Sequence, residues 1–337
     1  MTVDDGGRAP DRDPVTAKPS ILLTRRWPAG VEAHLAERYQ VTLRDPDAPL
    51  TRRELKQAMR DHDALCPTVT DAINAEILNA EPRRVRFIGN FGAGHQHIDL
   101  AACKALGIQV SNTPDVLTEA TANLALTLIL MVTRRVSEGE RLLRGGRWDG
   151  WTPTQLLGSE LGGRMLGLVG FGRIGRAVAA KAVRAFGMRI GWHGRTATLG
   201  VEPNFEAHYF ADLDQLLAEA DIVSLHLPGG PATRHLIDSR RLGLMKSTAI
   251  LINTARGSVV DEAALAEMLA AGGIAGAGLD VYEEEPTVNP RLLDLGNVTL
   301  LPHLGSATAE TRTAMGMRVA RNLDAFFSGF EPPDRVA

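Results

Sequence analysis

Cysteine and aromatic residues are scarce in this sequence, and long apolar runs are missing. It has two cysteines, Cys66 and Cys103, and Phe, Trp and Tyr together make up 5%. Two cysteines exclude a disulfide framework and lack metal-ligand spacing, so we expect reduced thiols in a cytoplasmic protein. No run of about 18 apolar residues is available to span a membrane. The net charge of −3, from 37 basic and 40 acidic residues, offers no general attraction to nucleic acid.

The 337 residues instead show a regular alternation of short apolar runs with helical patterns. This alternation is typical of α/β proteins in which helices cover both faces of a parallel sheet. The length predicts two domains. Residues 1–20 are polar, without the apolar segment of a signal peptide, and we expect a disordered tail there.

The alternation forms two blocks, residues 21–112 and 113–302. The second begins with a mostly helical stretch from Thr118 to Gly146. Residues 303–337 contain only two helical patterns, which are too few for a domain. We therefore predict that they return to the first block. A domain of residues 113–302 is then inserted into a domain of residues 21–112 and 303–337, with a cleft between the two.

A glycine-rich turn follows the apolar strand MLGLV in the second block. Gly170, Gly172 and Gly175 have the G-x-G-x-x-G spacing, and a helical pattern and a further strand, MRIGW, come next. The first glycine permits the tight turn, the second lets backbone approach a pyrophosphate, and the third lets the helix pack on the strand. The helix N-terminus adds partial positive charge. The segment therefore predicts a dinucleotide site.

The end of the MRIGW strand indicates which dinucleotide is bound. An acidic residue about 20 positions after the glycine turn would bind the ribose hydroxyls of NAD. This sequence has Gly194 there, followed by Arg195 and Thr196. Gly194 removes the repulsion of a 2′-phosphate, and Arg195 offers a planar set of donors. We expect NADP(H) to be preferred, with NAD(H) as the alternative if Arg195 is only a solvated loop residue.

Polar residues follow three further strands, in the segments LINTARGSVVDE, AGLDVYEEEP and LLPHLGSAT. With GFGRIG and NTPDVLTEATANLAL, these motifs resemble the D-isomer-specific 2-hydroxyacid dehydrogenases, most closely their glyoxylate/hydroxypyruvate reductase branch. The resemblance extends from Ile21 to about Pro333. It implies two Rossmann-like or flavodoxin-like domains, a nicotinamide cofactor and a small anionic 2-oxo acid as substrate.

The resemblance places the catalytic residues of the family on Arg256, Glu285 and His303. A guanidinium can bind the carboxylate of a 2-oxo acid and polarise its ketone. Histidine is the natural proton donor near neutral pH for the alkoxide that hydride transfer creates. A carboxylate bonded to the far ring nitrogen favours the charged imidazolium. The three residue types therefore suit the roles that the resemblance implies.

Ligand-binding positions are also implied by the resemblance. The loop GNFGAGHQHID would hold the substrate carboxylate with the backbone amides of Ala93 and Gly94. His95, Gln96 and His97 depart from the commoner wording of this loop, and without a third ligand the two imidazoles predict no metal site. In addition to the glycine turn and the end of MRIGW, the cofactor would contact Arg173, Ile174, Pro228, Thr254, Asp280, Gly305 and Thr121.

The segment GGRWDGW resembles an arm of the same branch, in which the region between the domains forms a homodimer. The resemblance implies that Trp151 reaches the substrate pocket of the partner subunit, with Trp148 packed beside it. Packing of Trp151 at the interface without substrate contact is the alternative.

The sequence thus predicts an NADPH-preferring reductase that converts glyoxylate and hydroxypyruvate to 2-hydroxy acids, with His303 as general acid. Reduction of bulkier acids such as 2-ketogluconate is the nearest alternative, because one sequence does not fix the pocket volume. A nucleotide-sensing, corepressor-like binding protein of the same fold is a second alternative, which intact Arg256, Glu285 and His303 disfavour.

Overall fold

A computed structural model describes residues 18–195 and 204–337. Its first sheet has five parallel strands: β1 (Ser20–Leu23), β2 (Gln40–Leu43), β3 (Ala64–Cys66), β4 (Phe87–Gly89) and β5 (Gln109–Ser111). Their order is β2-β1-β3-β4-β5, the flavodoxin-like arrangement. The helices along this part of the chain are α1 (Ala29–Arg38), α2 (Arg52–Asp61), α3 (Ala75–Leu78) and α4 (Leu100–Ala105).

The second sheet is also parallel and has seven described strands. They are β6 (Met165–Val169), β7 (Arg189–His193), β8 (Ala207–Tyr209), β9 (Ile222–Leu225), β10 (Ile250–Asn253), β11 (Gly276–Leu279) and β12 (Val298–Leu300). The order β12-β11-β10-β9-β6-β7-β8 is that of a Rossmann sheet with one further strand, and it reverses between β6 and β9. The helices of this part are α7 (Arg173–Phe186), α8 (Leu213–Glu219), α9 (Ser239–Leu242), α10 (Glu262–Ala270) and α11 (Pro290–Leu293). The predicted fold class, with two parallel-sheet units, is confirmed.

The local sequence explains where these elements begin and end. Strands β9, β10 and β11 are buried along their whole length, as expected of apolar strands covered on both faces. Helix α2 starts with a capping box, in which Thr51 accepts a bond from the Glu54 amide and the Glu54 side chain accepts one from Thr51. Helix α7 ends at Gly187, whose φ of 62° lies in the left-handed region that glycine adopts readily.

The helical stretch from Thr118 to Gly146 is divided into two helices, α5 (Thr118–Thr133) and α6 (Val136–Arg144). The division falls at Arg135, whose φ of 52° cannot continue a right-handed helix. Helix α5 packs against α7 and the β10 and β11 strands, so its apolar face is covered within the chain. Helix α6 has no fully buried residue.

The C-terminal residues lie on the first sheet. They form one unbroken helix, α12 (Ala309–Phe327), instead of the two predicted patterns, and it packs against α1 and β4. The last residues then pair with β5, since the Val336 amide donates to the Val110 carbonyl at 2.7 Å. At the other terminus β1 begins at Ser20, inside the predicted tail of residues 1–20, of which 1–17 lie outside the described residues.

Among the helices of the described ranges, none combines the length and the apolar character needed to cross a membrane.

Candidate active site

A cleft of about 870 Å³ is lined by residues that follow the carboxyl ends of strands from both sheets. Open α/β sheets bind their ligands at this edge, and the volume suits a small-molecule site. Both Arg256, just beyond β10, and His303, just beyond β12, line the cleft. Opposite them are residues 91–96, which follow β4 of the first sheet.

The Arg256 side chain reaches from the second sheet to the loop of the first. The Asn253 side chain fixes the turn that carries it, accepting from the Ala255 amide and donating to the Arg256 carbonyl, both at 3.0 Å. The guanidinium lies against Gly94, where an added Cβ would be 1.7 Å from Nη2. Burial lowers the pKa of Arg256, while the Glu285 carboxylate opposes that shift. The side chain therefore stays a cation, and it lies beside the loop at which the sequence predicts an anionic ligand.

Glu285 and His303 form an ion pair in the cleft. The distance from His303 Nδ1 to Glu285 Oε2 is 2.8 Å, and the other carboxylate oxygen accepts from the Tyr282 amide at 3.1 Å. Burial raises the pKa of Glu285, but the His303 ring and the Tyr282 amide outweigh it and hold the pKa below its ordinary value. Glu285 is therefore a carboxylate that fixes the orientation of the ring through Nδ1.

Asp280 holds the loop that carries His303. Its buried carboxylate accepts from the amides of Leu304 at 2.6 Å and Gly305 at 2.8 Å, and its carbonyl accepts from the His303 amide at 3.0 Å. Thr121 donates to the Gly305 carbonyl at 3.0 Å. Burial raises the pKa of Asp280, against the effect of these amides. The sequence predicted only a cofactor contact for Asp280, and this positioning role was missed.

The loop around Ala93 and Gly94 is held by hydrogen bonds that its backbone carbonyl groups accept from two asparagine side chains. Asn90 donates to the carbonyls of Gly92 and Gly94, both at 2.9 Å, and Asn112 donates to that of Ala93 at 2.7 Å. Within the described ranges the amides of Ala93 and Gly94 have no acceptor. Two backbone donors therefore remain for a ligand.

His97 helps to position this loop through a hydrogen bond to Asn90. Its Nε2 lies 3.0 Å from Asn90 Oδ1, so the ring donates to the same amide that holds Gly92 and Gly94. Burial, with the nearby Arg256 and His95, lowers the pKa of His97 to about 4, and the ring is neutral at pH 7. The described residues contain no group of three His, Cys, Asp or Glu side chains placed to hold a metal ion.

The glycine turn has the shape that a dinucleotide requires. Gly170 has a φ of 95°, and a Cβ there would lie 2.3 Å from the His226 carbonyl oxygen; at Gly175 it would lie 2.4 Å from the Gly170 oxygen. At Gly172 an added Cβ would meet nothing within 4 Å, so the backbone is open to a ligand. Thr254 Oγ1 is buried without a partner among the described residues. These residues fit a dinucleotide cofactor, to which Thr254 would offer an unused hydroxyl.

The other predicted cofactor residues divide between the cleft and its surroundings. Arg173 begins α7 and pairs with Asp115 at 2.5 Å. Gly194 and exposed Arg195 follow β7, and Thr196 lies outside the described residues. Those that line the same cleft as Arg256 are Thr121, Ile174, Pro228, Thr254, Asp280 and Gly305.

Trp151 is not brought to the cleft of its own chain. It is 79% exposed and Trp148 is 50% exposed, in a segment without helix or strand. A contact of Trp151 with substrate therefore requires a second subunit.

Comparisons with known proteins agree with this geometry. The family model of the NAD binding domain of D-isomer specific 2-hydroxyacid dehydrogenases matches residues 126–305. A glyoxylate reductase of Thermococcus onnurineus is 44% identical over 323 residues, which cover 95% of this chain and 96% of that protein. This chain belongs to the D-isomer-specific 2-hydroxyacid dehydrogenase family.

Two further relatives of this dehydrogenase support the same family. A glyoxylate reductase of Thermococcus litoralis is 45% identical over 95% of this chain and 97% of that protein. The structure of an NADPH-dependent glyoxylate/hydroxypyruvate reductase of Sinorhizobium meliloti, in complex with NADP and malonate, aligns with a TM-score of 0.84 and 36% identity, over 95% of this chain and 97% of that one. The predicted family is confirmed, and the dehydrogenase is an oxidoreductase that uses a nicotinamide cofactor.

Some residues that shape the site of this dehydrogenase were not predicted. Gly257 is required because a Cβ there would lie 1.8 Å from the Tyr282 carbonyl carbon, in the backbone that leads to Glu285. Asn90 and Asn112, which hold the loop around Ala93 and Gly94, were not predicted either. Each is a polar residue just after a strand, and this position is the sequence signal by which they could have been found.

Proposed function

We propose that this chain is an NADPH-preferring reductase of small 2-oxo acids, with glyoxylate and hydroxypyruvate as its first substrates. The observation that carries the proposal is the convergence in one cleft of Arg256, the His303–Glu285 pair and the amides of Ala93 and Gly94, which have no acceptor among the described residues. These three features together can bind an anion and donate a proton. Reduction of a keto-carboxylate requires both.

In this proposal Arg256 and the two loop amides hold the substrate carboxylate beside the ketone. When bound, the reduced nicotinamide supplies the hydride that adds to the carbonyl carbon. His303 delivers the proton to the carbonyl oxygen from Nε2, because its Nδ1 is bonded to Glu285. Glu285 keeps the ring oriented, so that Nε2 faces the ligand side of the pair. One hydride and one proton convert the ketone to the 2-hydroxy acid.

The assay that tests the proposal is oxidation of NADPH by the purified protein with glyoxylate and with hydroxypyruvate. We expect turnover with both acids, and His303→Gln should lower kcat by about 10²–10⁴-fold with the cofactor still bound, because a placed proton donor is worth that much. Turnover of neither acid would contradict the proposed substrates, and near-normal turnover of the variant would remove His303 from the reaction.

The preference for NADPH is supported by Gly194 and by exposed Arg195 at the end of β7. We expect kcat/KM for NADPH to exceed that for NADH by at least about tenfold, and Arg195→Asp to raise the KM for NADPH by about 10–100-fold through loss of a charge-assisted bond to the 2′-phosphate. Arg184→Asp is the matched control, since Arg184 is an exposed arginine near the far end of α7. Equal rates with both cofactors would contradict the preference.

The same proposal assigns residues 21–112 and 303–337 to a substrate-binding domain and residues 113–302 to a cofactor-binding domain. The packing of α12 on the first sheet supports the assignment. A homodimer is supported by the exposed apolar side chains of α6 and the arm, with Leu143 60% and Trp151 79% exposed. Sedimentation velocity should give twice the mass of one chain.

A further inference from the structure

Helix α12 presents two side chains to the cleft, Arg312 and Met315, which line the same cavity as Arg256 and His303. Residues three apart share one face of a helix. Because α12 packs on α1 and β4, this face approaches the cleft from the side of the first sheet. Arg312 therefore brings a further guanidinium to the cleft, from the side opposite to Arg256.

Carboxylates pair with the other arginines on this side of the cleft. Arg25 Nε lies 2.7 Å from Asp47 Oδ1. Arg26 donates to both carboxylate oxygens of Glu32, at 2.8 and 2.7 Å. The positive charges of these two side chains are therefore satisfied within the chain.

Arg312 differs from these arginines. Its Nε is buried without a hydrogen-bond partner, and within residues 18–195 and 204–337 no carboxylate forms an ion pair with it. A buried donor left without an acceptor costs on the order of 1–3 kcal/mol, and more for a charged group. Such a side chain, facing a ligand cleft, indicates an acceptor that the ligand supplies.

We propose that Arg312 is a specificity-determining residue that binds a polar acceptor on C3 of the substrate. The inference rests on the proposed function, in which Arg256 and the loop amides bind the carboxylate. Glyoxylate has no third carbon, whereas hydroxypyruvate carries a hydroxyl there and pyruvate only hydrogens. Arg312 therefore selects 2-oxo acids with a hydroxyl or an anionic group at C3 over those with an alkyl group.

The test compares glyoxylate, hydroxypyruvate and pyruvate at saturating NADPH, in the wild type and in Arg312→Gln. The loss of kcat/KM should be about 10–100-fold for hydroxypyruvate, and at least about tenfold larger than the losses for glyoxylate and pyruvate, because only hydroxypyruvate loses a charge-assisted bond. Arg312→Lys, which keeps the charge, should restore part of the discrimination. Arg321→Gln is the matched control, since Arg321 is exposed on the same helix.

Two outcomes would overturn the inference. One is an equal loss, or no loss, for all three acids, which leaves the selectivity unchanged; the other, found when NADPH is varied, is an effect confined to the KM for NADPH, which would assign Arg312 to the cofactor. The proposed function fails separately, if the wild type reduces neither glyoxylate nor hydroxypyruvate. Calorimetric titration of the NADP-loaded protein with D-glycerate and D-lactate still tests Arg312 in that case. The wild type should prefer D-glycerate, and Arg312→Gln should lose the preference; equal affinities in the wild type would overturn the inference.

Discussion

Gly94 and the Arg256 guanidinium share a space too small for any additional atom. A methyl group at Gly94 would overlap Nη2, and its ideal position is also only 2.8 Å from Cζ. The absence of a side chain at Gly94 is therefore what allows the cation to reach the loop that offers its amides.

Gly94→Ala should lower kcat/KM for glyoxylate by about 10²-fold, because the displaced guanidinium no longer meets the carboxylate beside the loop amides. Gly92→Ala is the matched control, since its Cβ would meet no atom closer than 3.4 Å. Steady-state kinetics and thermal melting of both variants separate a local effect from unfolding. Equal kinetics of the two variants would contradict the contact.

For individual residues, the sequence indicated the side chains of the candidate site but not the hydrogen bonds that hold them in place. Arg256, Glu285 and His303 lie in specific motifs that follow the carboxyl ends of strands, so their meeting in one cleft could be expected before the structure. The hydrogen bond between His97 and Asn90 could not, because it depends on side-chain directions within a loop of irregular backbone. The same holds for Arg312 Nε, which has no partner among the described residues, because that depends on where every nearby acceptor lies.

Among the elements, the segment after α12 has a structural role at the edge of the first sheet. Residues 334–337 cover the open edge of β5, and Asp334 fastens them to α12. The Asp334 carboxylate accepts two bonds from Arg318, at 2.9 and 2.7 Å, and one from Asn322 at 2.8 Å. Covering an edge strand also prevents its pairing with other chains.

Asp334→Ala should lower the free energy of unfolding by about 2–4 kcal/mol, because it removes the carboxylate that accepts two bonds from Arg318 and one from buried Asn322. Glu331→Ala is the control in the same segment, since the pair of Glu331 with Arg335 is exposed and should contribute under about 1 kcal/mol. Urea denaturation of the two variants measures the difference. A similar loss in both would show that the buried network adds nothing.

Element boundaries show which signals the sequence carries. Capped ends such as Thr51 and strands between turn residues could be located in advance. The break at Arg135 could not, because an arginine in the left-handed region has no local signature. Helix α12 runs unbroken through Gly316, a residue that weakens a helical pattern. In the structure a Cβ at Gly316 would lie 2.7 Å from Val31, so the glycine serves close packing of α12 on α1.

For the whole molecule, two histidines make stability depend on pH. Burial lowers the pKa of His226 to about 4, and the pKa of His97 is also about 4. Both are therefore depressed below the value of about 6.5 expected in the unfolded chain. The unfolded state binds the extra protons first as the pH falls, so stability is lost between about pH 6.5 and 4.

His226→Gln should flatten this dependence by up to about 1.4 kcal/mol per pH unit, because one such proton is removed from the unfolded state. Gln can retain a bond to Ser224, whose hydroxyl lies 2.9 Å from His226 Nε2. His208→Gln is the control, since His208 is exposed. Urea denaturation at pH 4.5, 5.5 and 6.5 checks the slopes, and parallel curves for wild type and His226→Gln would contradict the assignment.

The two-sheet architecture followed from the alternation of strands and helices, since parallel strands need helical crossovers. The return of the chain to the first sheet followed from the small number of elements after His303. The way in which the two sheets face each other was not contained in those patterns, because it depends on contacts between residues far apart in the chain.

The contact between Arg256 and Gly94 spans the seam between the halves of the molecule. In the proposed function, a motion that parts the two sheets would draw the guanidinium away from the loop and would separate the groups that bind the carboxylate of the acid. Opening of the cleft and release of the product would then be coupled through this one contact.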